Sequence, residues 1–378
     1  MSAEIKEGET TILGSPPKSP AKPLTPPTAG EDETALVSET TATIPAGETI
    51  SIDPLDADAE TDSAYGDDDA SSTASIASSI RNYREFHGRT YHNFNTETTS
   101  EYWGPNDEKM NEQLDIGHHM LTLMLDGKLF LAPIGPNPQK VLDVGTGTGI
   151  WAIDFADQFP SAEVIGTDIS PTQPSFVPPN LKFELDDAQL EWTYQPNGFD
   201  YIHVRCLLGA IQDWAHLYRE IYKCTKPGGY IEHLEISIMF KSEDGSLTED
   251  HFMVQWSKTL LYAAEQLGKT FAIYDFNREM ITKAGFVDVV EKKFKVPVGT
   301  WPSDPKMKEL GQHVVSEIRR EDVMTGRWTD EKQWSYEEIQ AHIATMRKQI
   351  LNRKNHAYYD INVVYGRKPG GVSDMTDD

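Results

Sequence analysis

The chain has 378 residues, 38% of them hydrophobic and 25% charged, with a formal net charge of −26. Such an acidic excess excludes a surface for non-specific nucleic-acid binding, which depends on Lys and Arg, and no run of about eighteen apolar residues is present to cross a membrane. Two cysteines, Cys206 and Cys224, fit a reducing compartment, and none of the 11 histidines sits with a cysteine at ligand spacing, so no metal site is expected. With no apolar segment behind a basic start, the expected location is cytoplasmic or nuclear.

Residues 1–79 hold 16 acids, 3 bases and one aromatic, Tyr65. Proline and serine recur, as in Ser15-Pro16-Pro17-Lys18-Ser19-Pro20, and acids cluster at Asp67-Asp68-Asp69. Such a segment buries too little apolar surface to offset chain entropy. A disordered tail over 1–84 is expected, then one globular domain over 85–369 and a disordered end over 370–378. Ser15, Ser19 and Thr25 each precede proline and are candidate phosphorylation sites, although such pairs also arise by chance in this composition.

The domain opens with a segment expected to be a helical lid, 85–135. Its aromatics Tyr91, Tyr102 and Trp103 are candidate substrate contacts or plain core. Met110, Leu114, Gly117, Leu121 and Met124 recur at helical steps and predict a helix over 107–126, capped by Asn106 and ended by Gly127. His118 and His119 are sequence neighbours, so their rings point different ways on that helix.

A short apolar run then meets three glycines at alternate positions: Val141-Leu142-Asp143-Val144-Gly145-Thr146-Gly147-Thr148-Gly149-Ile150-Trp151. It reads as a buried parallel strand turning into a helix near 149–158. Glycines in such a turn let backbone approach a ligand and permit positive φ, at the end of the sheet where open α/β folds bind cofactors. From Gly145 the dinucleotide fingerprint Gly-x-Gly-x-x-Gly fails at Ile150, and from Gly147 it needs Ala152 as a variant glycine. Asp143 suits a ligand bearing an ammonium and a sulfonium better than a pyrophosphate.

Further strands follow. Ala162 to Asp168 ends in an acid that can accept from both ribose hydroxyls. Leu181 to Ala188 ends in Asp186-Asp187, placed to meet an adenine amino group. Gly198 to Arg205 is a fourth strand, Thr225 to Glu232 turns into a fifth, and Gly285 to Val290 starts a sixth. Crossover and later helices are expected near 214–224 and 250–267. Residues 303–355 look like a charged helical insertion, and Tyr358 to Tyr365 is an alternating strand.

This order over about 138–236 resembles the class I S-adenosylmethionine-dependent methyltransferases. Gly88-Arg89-Thr90-Tyr91-His92, Tyr102-Trp103-Gly104-Pro105 and His356-Ala357-Tyr358-Tyr359-Asp360 extend the likeness to the fungal LaeA-like methyltransferases. The resemblance implies a Rossmann-like, mostly parallel seven-stranded sheet with helices on both faces and an antiparallel last strand. It implies S-adenosyl-L-methionine as cofactor and a fungal origin but does not pick a substrate; the favoured reading is a methyltransferase of fungal secondary metabolism acting on a small-molecule acceptor. The alternative is a nuclear regulator of metabolism and development that methylates protein or serves as a cofactor-binding subunit. No direct nucleic-acid or membrane partner is expected. On this likeness Asp143 lies near the methionine end of the cofactor, directly or through water, Gly145, Thr146, Gly147 and Gly149 bind the cofactor, Asp168 holds the ribose, and Asp187 rather than Asp186 meets the adenine, because Asp187-Ala188 fits the family pattern.

The acceptor side is read from strand ends. His203 and Arg205 share a face of the fourth strand, as do His233 and Glu235 on the fifth. Arg205 is a candidate for holding an acid group of the substrate or for an internal salt bridge, and His233 is a candidate base. Methyl transfer needs a base only if the acceptor starts protonated.

Overall fold

The structure, a computed structural model, describes residues 83–92, 102–266, 268–320 and 335–370. The acidic tail with its Ser-Pro and Thr-Pro sites, and the last eight residues, lie outside these. The chain divides into Met1–Tyr65 and Gly66–Asp378, and every described residue belongs to the second unit.

A hairpin not foreseen in the sequence comes first: β1 (Arg84–Phe86) and β2 (Arg89–Tyr91) pair antiparallel. Its turn residues His87 and Gly88 both have positive φ, 49° and 73°, which matches the right-handed strand twist. Helix α1 (Glu108–Met124) follows. Its cap is Asp107, whose carboxylate accepts from Met110 N at 3.0 Å. The expected cap, Asn106, is drawn away by the hairpin: its amide donates to Thr90 O at 2.9 Å, and its side chain accepts from Thr90 Oγ1. Arg89 grips Asp107 through two nitrogens and fixes the helix start. At the other end the Gly127 amide, with φ 78°, donates to Thr122 O, so the helix ends as expected.

Seven strands form the main sheet: β3 (Lys140–Val144), β4 (Glu163–Asp168), β5 (Leu181–Leu185), β6 (Phe199–Arg205), β7 (Thr225–Ile236), β8 (Val287–Pro297) and β9 (Tyr358–Arg367). Their order is β5-β4-β3-β6-β7-β9-β8. The first five are parallel, and β9 runs antiparallel to both β7 and β8. The chain steps outward from β3 to β5 and then returns to β6 on the other side of β3. That reversal opens a crevice beyond the carboxyl ends of β3 and β6, where open α/β sheets bind ligands.

Alternation along the strands sorts the core into two faces. Val141, Val164 and Tyr201 pack with Trp151 and Phe155 of α2 (Ile150–Gln158). Leu142, Val144, Ile202 and Val204 pack with Leu217, Tyr218 and Ile221 of α3 (Trp214–Cys224). Each such buried side chain contributes about 1.5–3 kcal/mol relative to exposure, which keeps β3 fixed between its two helix layers. Beyond the sheet lie α4 (Phe252–Gln266), α5 (Asn277–Lys283), α6 (Pro305–Arg320) and α7 (Tyr336–Ile350). The last two occupy the charged segment read as a helical insertion. Leu310 and Val314 of α6 and Met346 of α7 join Leu121 and Met124 of α1 in one cluster. Among the described residues no helix is long and apolar enough to cross a membrane.

Candidate active site

A cavity of about 260 Å³ opens at the carboxyl ends of β3 to β6 and lies beneath α1. Leu114, Gly117 and Leu121, the apolar stripe of α1, line it. The stripe whose periodicity predicted the helix is thus partly cavity wall.

The glycine turn forms its floor. A Cβ at Gly149 (φ 81°) would lie 2.2 Å from Phe183 Cζ, so this glycine is required by packing. A Cβ at Gly147 (φ 60°) would meet only Leu114 Cδ1, at 3.3 Å, because the position faces the cavity. Gln173 Nε2 and Thr172 Oγ1 both donate to Gly147 O and hold the turn from the β4 side. Gly145 and Thr146 also line the cavity, whereas Gly149 lies behind it.

Asp168, at the end of β4, has one oxygen on Gly147 N and the other on Ser170 N, both at 2.9 Å. Burial pushes its carboxyl up to about 6, against those two hydrogen bonds. At the end of β5, Asp186 and Asp187 both reach the cavity. Asp186 accepts the Asp187 amide, and burial raises its carboxyl above the usual range. Asp187 accepts from Gln189 N with Oδ1, while its Oδ2 is buried with no hydrogen-bond partner among the described residues. A buried acceptor without a partner is costly, and Asp187 is a residue of the cavity wall. The structure therefore distinguishes two adjacent acids that strand alternation alone left nearly equivalent.

Asp143 stands elsewhere than expected. It is 3% exposed and does not line the cavity. Its oxygens are taken by Thr146 Oγ1 at 2.6 Å and His203 Nδ1 at 2.7 Å. The reason is register: Asp143 on β3 lies beside His203 on β6, one layer below the strand ends. Asp143 therefore fastens the turn from beneath and does not border the space above it.

The two candidate histidines are likewise interior. The His203 ring stacks on Trp151 with centroids 3.7 Å apart, and burial lowers its pKa despite Asp143. His233 is fully buried, bonded to Tyr218 Oη at 2.7 Å and to Glu235 Oε2 at 3.3 Å. Neither ring reaches the cavity. Sharing a face with a strand-end residue put them one layer too deep, which corrects their placement on the acceptor side.

Arg205, the last residue of β6, does line the cavity. Its Nη1 donates to His118 Nδ1 at 3.1 Å, and His118 Nε2 bonds Asp154 Oδ2 at 2.9 Å. Burial, then the Arg205 charge, lower the His118 pKa. A neutral ring accepts at Nδ1 and donates at Nε2, as both contacts require. The sequence reading missed His118, for it was weighed only as half of a histidine pair. Tyr102 and Trp103 line the cavity, and Trp103 Nε1 donates to Leu208 O at 3.0 Å. Tyr91 instead is buried in the hairpin, bridged to Pro105.

Comparison with known proteins agrees in kind. Residues 116–358 match the family model described as a methyltransferase domain. The chain is 36% identical to the methyltransferase pytC of Aspergillus terreus, over 80% of this chain and 93% of that protein. It is 35% identical to the secondary metabolism regulator LAE1 of Cochliobolus heterostrophus, over 76% and 95%. It is 29% identical to the protein-methionine methyltransferase laeA of Emericella nidulans, over 76% and 77%.

Proposed function

Since the chain belongs to the methyltransferase-domain family, with LaeA-like and fungal secondary-metabolism relatives, we propose that the cavity holds S-adenosylmethionine and presents its methyl group to a small-molecule acceptor. The observation that carries the cofactor assignment is the partnerless, buried Oδ2 of Asp187 on the same wall as Asp168. Asp187 fits the adenine amino group, Asp168 the ribose hydroxyls, and the Gly145–Gly147 turn the methionine portion. When bound, the cofactor supplies a sulfonium methyl that an acceptor lone pair takes, leaving a neutral thioether.

The chain's part in that transfer is alignment and exclusion of water. Leu114 and Leu121 of α1 cover the turn, and Trp103, pinned to Leu208 O, closes the acceptor side. Asp143 and His203 act from below: their bond holds the glycine turn, and Trp151 fixes the His203 ring. No histidine on the cavity wall is aligned as a base toward an acceptor, since His118 is committed at both nitrogens. Acceptors that ionise on their own, or that carry an available lone pair, suit this site best.

A small molecule is favoured as acceptor because the far half of the cavity is walled by Tyr102, Trp103, Leu207 and Ile211. A protein acceptor is the second reading, motivated by likeness to the protein-methionine methyltransferase laeA. A cytoplasmic or nuclear location accompanies either. Calorimetry with S-adenosylhomocysteine and with NAD tests the cofactor reading. Micromolar binding of the former, about −8 kcal/mol, is expected, and heat with NAD alone overturns it.

A further inference from the structure

Resting on that cofactor reading, we propose that Arg205 is a carboxylate anchor at the methyl-transfer end of the cavity, and that Asp154 and His118 are the positioning residues that aim it. Asp168 ends β4 and Asp186 and Asp187 directly follow β5, on one side of β3. Arg205 ends β6, on the other side. The cavity therefore has an acidic end and, opposite it, a guanidinium among Leu121, Cys206, Leu207 and Ile236.

Arg205 forms no ion pair with any Asp or Glu among the described residues. Its recorded contact is a neutral acceptor, His118 Nδ1 at 3.1 Å. A guanidinium carries five N–H donors in a planar fork, and a single neutral partner leaves most of them available. Arg205 is half-buried, so the cation is partly desolvated beside apolar walls, a cost that an anion offsets. The bidentate match of that fork is a carboxylate.

Placement is enforced from three sides. His118 comes from α1, and Asp154 on α2 accepts from its far nitrogen at 2.9 Å. The residue after Arg205, Cys206, has φ 55°, an uncommon left-handed conformation for a side-chain-bearing residue. Its amide donates to Leu234 O at 3.1 Å, and the next amide, Leu207 N, donates to the buried Glu235 carboxylate at 3.2 Å. Cys206 thus keeps its left-handed conformation beside the cavity cation through its own bond and that of the next residue.

Two molecules carry a carboxylate to this point: the cofactor, on its amino-acid tail, and an acidic acceptor. The test measures affinities of the full-length protein for S-adenosylhomocysteine and for 5′-methylthioadenosine, which lacks the amino-acid tail. In the S-adenosylhomocysteine complex it also measures affinities for 1-naphthoate and for its neutral amide. The variants are Arg205→Gln, Arg205→Lys and His118→Gln. If the cofactor supplies the carboxylate, Arg205→Gln weakens S-adenosylhomocysteine by about 10- to 100-fold and leaves 5′-methylthioadenosine unchanged. If the acceptor supplies it, both nucleosides bind as in the parent, and the preference for 1-naphthoate over the amide disappears. In either case Arg205→Lys keeps part of the effect, and His118→Gln, with Arg205 still present, shows a smaller loss in the same arm.

Arg205→Gln with parental affinity for all four probes overturns the anchor. So does equal loss of both nucleosides, which would mean collapse of the site. A parent protein that binds neither nucleoside refutes the cofactor reading itself, so the two failures are distinguishable.

Discussion

In its proposed role as ribose ligand Asp168 costs stability, and a single oxygen-to-nitrogen exchange exposes the conflict. Its carboxyl is pushed from the ordinary 3.8 up to about 6 by burial. A raised carboxylate pKa means that the folded protein still holds a proton in a pH range where the unfolded chain has released it. Stability therefore falls as pH rises from about 4 to about 6, and above that window the full cost is present. Two pKa units correspond to about 3 kcal/mol. Asp168→Asn removes the charge but keeps one acceptor for Gly147 N or Ser170 N, losing a backbone bond worth about 1 kcal/mol. A net gain of about 1–2 kcal/mol near pH 7.5 follows, or a rise of about 2–8 °C in the melting temperature of the ligand-free protein. Near pH 4 the gain vanishes, because the parent side chain is then protonated too. Binding is expected to move the opposite way: in the proposed role the ionised carboxylate accepts from two ribose hydroxyls, so the variant loses about 1.5–3 kcal/mol, roughly 10- to 100-fold in affinity for S-adenosylhomocysteine. Parental affinity likewise declines as pH drops below about 6. Scanning calorimetry at both pH values with ligand titration measures all of this. A variant that melts lower than the parent near pH 7.5, or binds as tightly, refutes the reasoning.

Three further outcomes follow from the same geometry. Gly147→Val is expected to fold with a cost of about 1–3 kcal/mol for a side chain at positive φ, yet to lose S-adenosylhomocysteine binding; calorimetric affinity equal to the parent's would remove the turn from the site. Gly149→Ala is expected to behave differently, since its Cβ meets Phe183 at 2.2 Å; overpacking costs about 1–3 kcal/mol, read as a lower denaturant midpoint before any effect on ligand. Asp187→Ala is expected to weaken S-adenosylhomocysteine by about 1–3 kcal/mol, and Asp186→Ala by less; the reverse order would place the adenine against the other acid.

How much of this was legible in the chain itself differs by element. The turn is a local object. Strand, three alternate glycines and helix follow one another within Val141 to Trp151, so spacing alone marks a ligand-binding βα turn. Acids that end β4 and β5 were legible for the same reason, since a strand's last residue reaches the crevice whatever its neighbours do. The helices expected near 149–158, 214–224 and 250–267 stand at Ile150–Gln158, Trp214–Cys224 and Phe252–Gln266, and the returning last strand followed from its alternation. Depth was not legible. Period-two alternation tells which face a residue takes but not how far from the strand end its side chain lies. Thus Asp143 and His203 shared a face with the cavity residues Gly145 and Arg205 and still fell one layer below, while His233 turned with Glu235 into the core. Only the pairing of β3 with β6 in one register brought Asp143 against His203.

Choices between chemically similar neighbours were also tertiary. Asn106 and Asp107 are both good caps, and contacts from Arg89 and Thr90 on a distant hairpin assign the cap to Asp107. Asp186 and Asp187 both follow β5 directly, and the folding back of the Gln189 amide onto Oδ1 of Asp187 leaves its other oxygen buried without a hydrogen-bond partner among the described residues. Arg205 stood out as a charged strand end, but its partners are 87 and, through His118, a further 36 positions away along the chain. Sequence patterning by itself determined the sheet, its crossover helices and the glycine turn, because hydrophobic period and backbone freedom are properties of adjacent residues. The contents of the cavity were decided by how α1 lies across α2 and the strand ends, since hydrogen bonds between side chains this far apart depend on packing that no local pattern encodes.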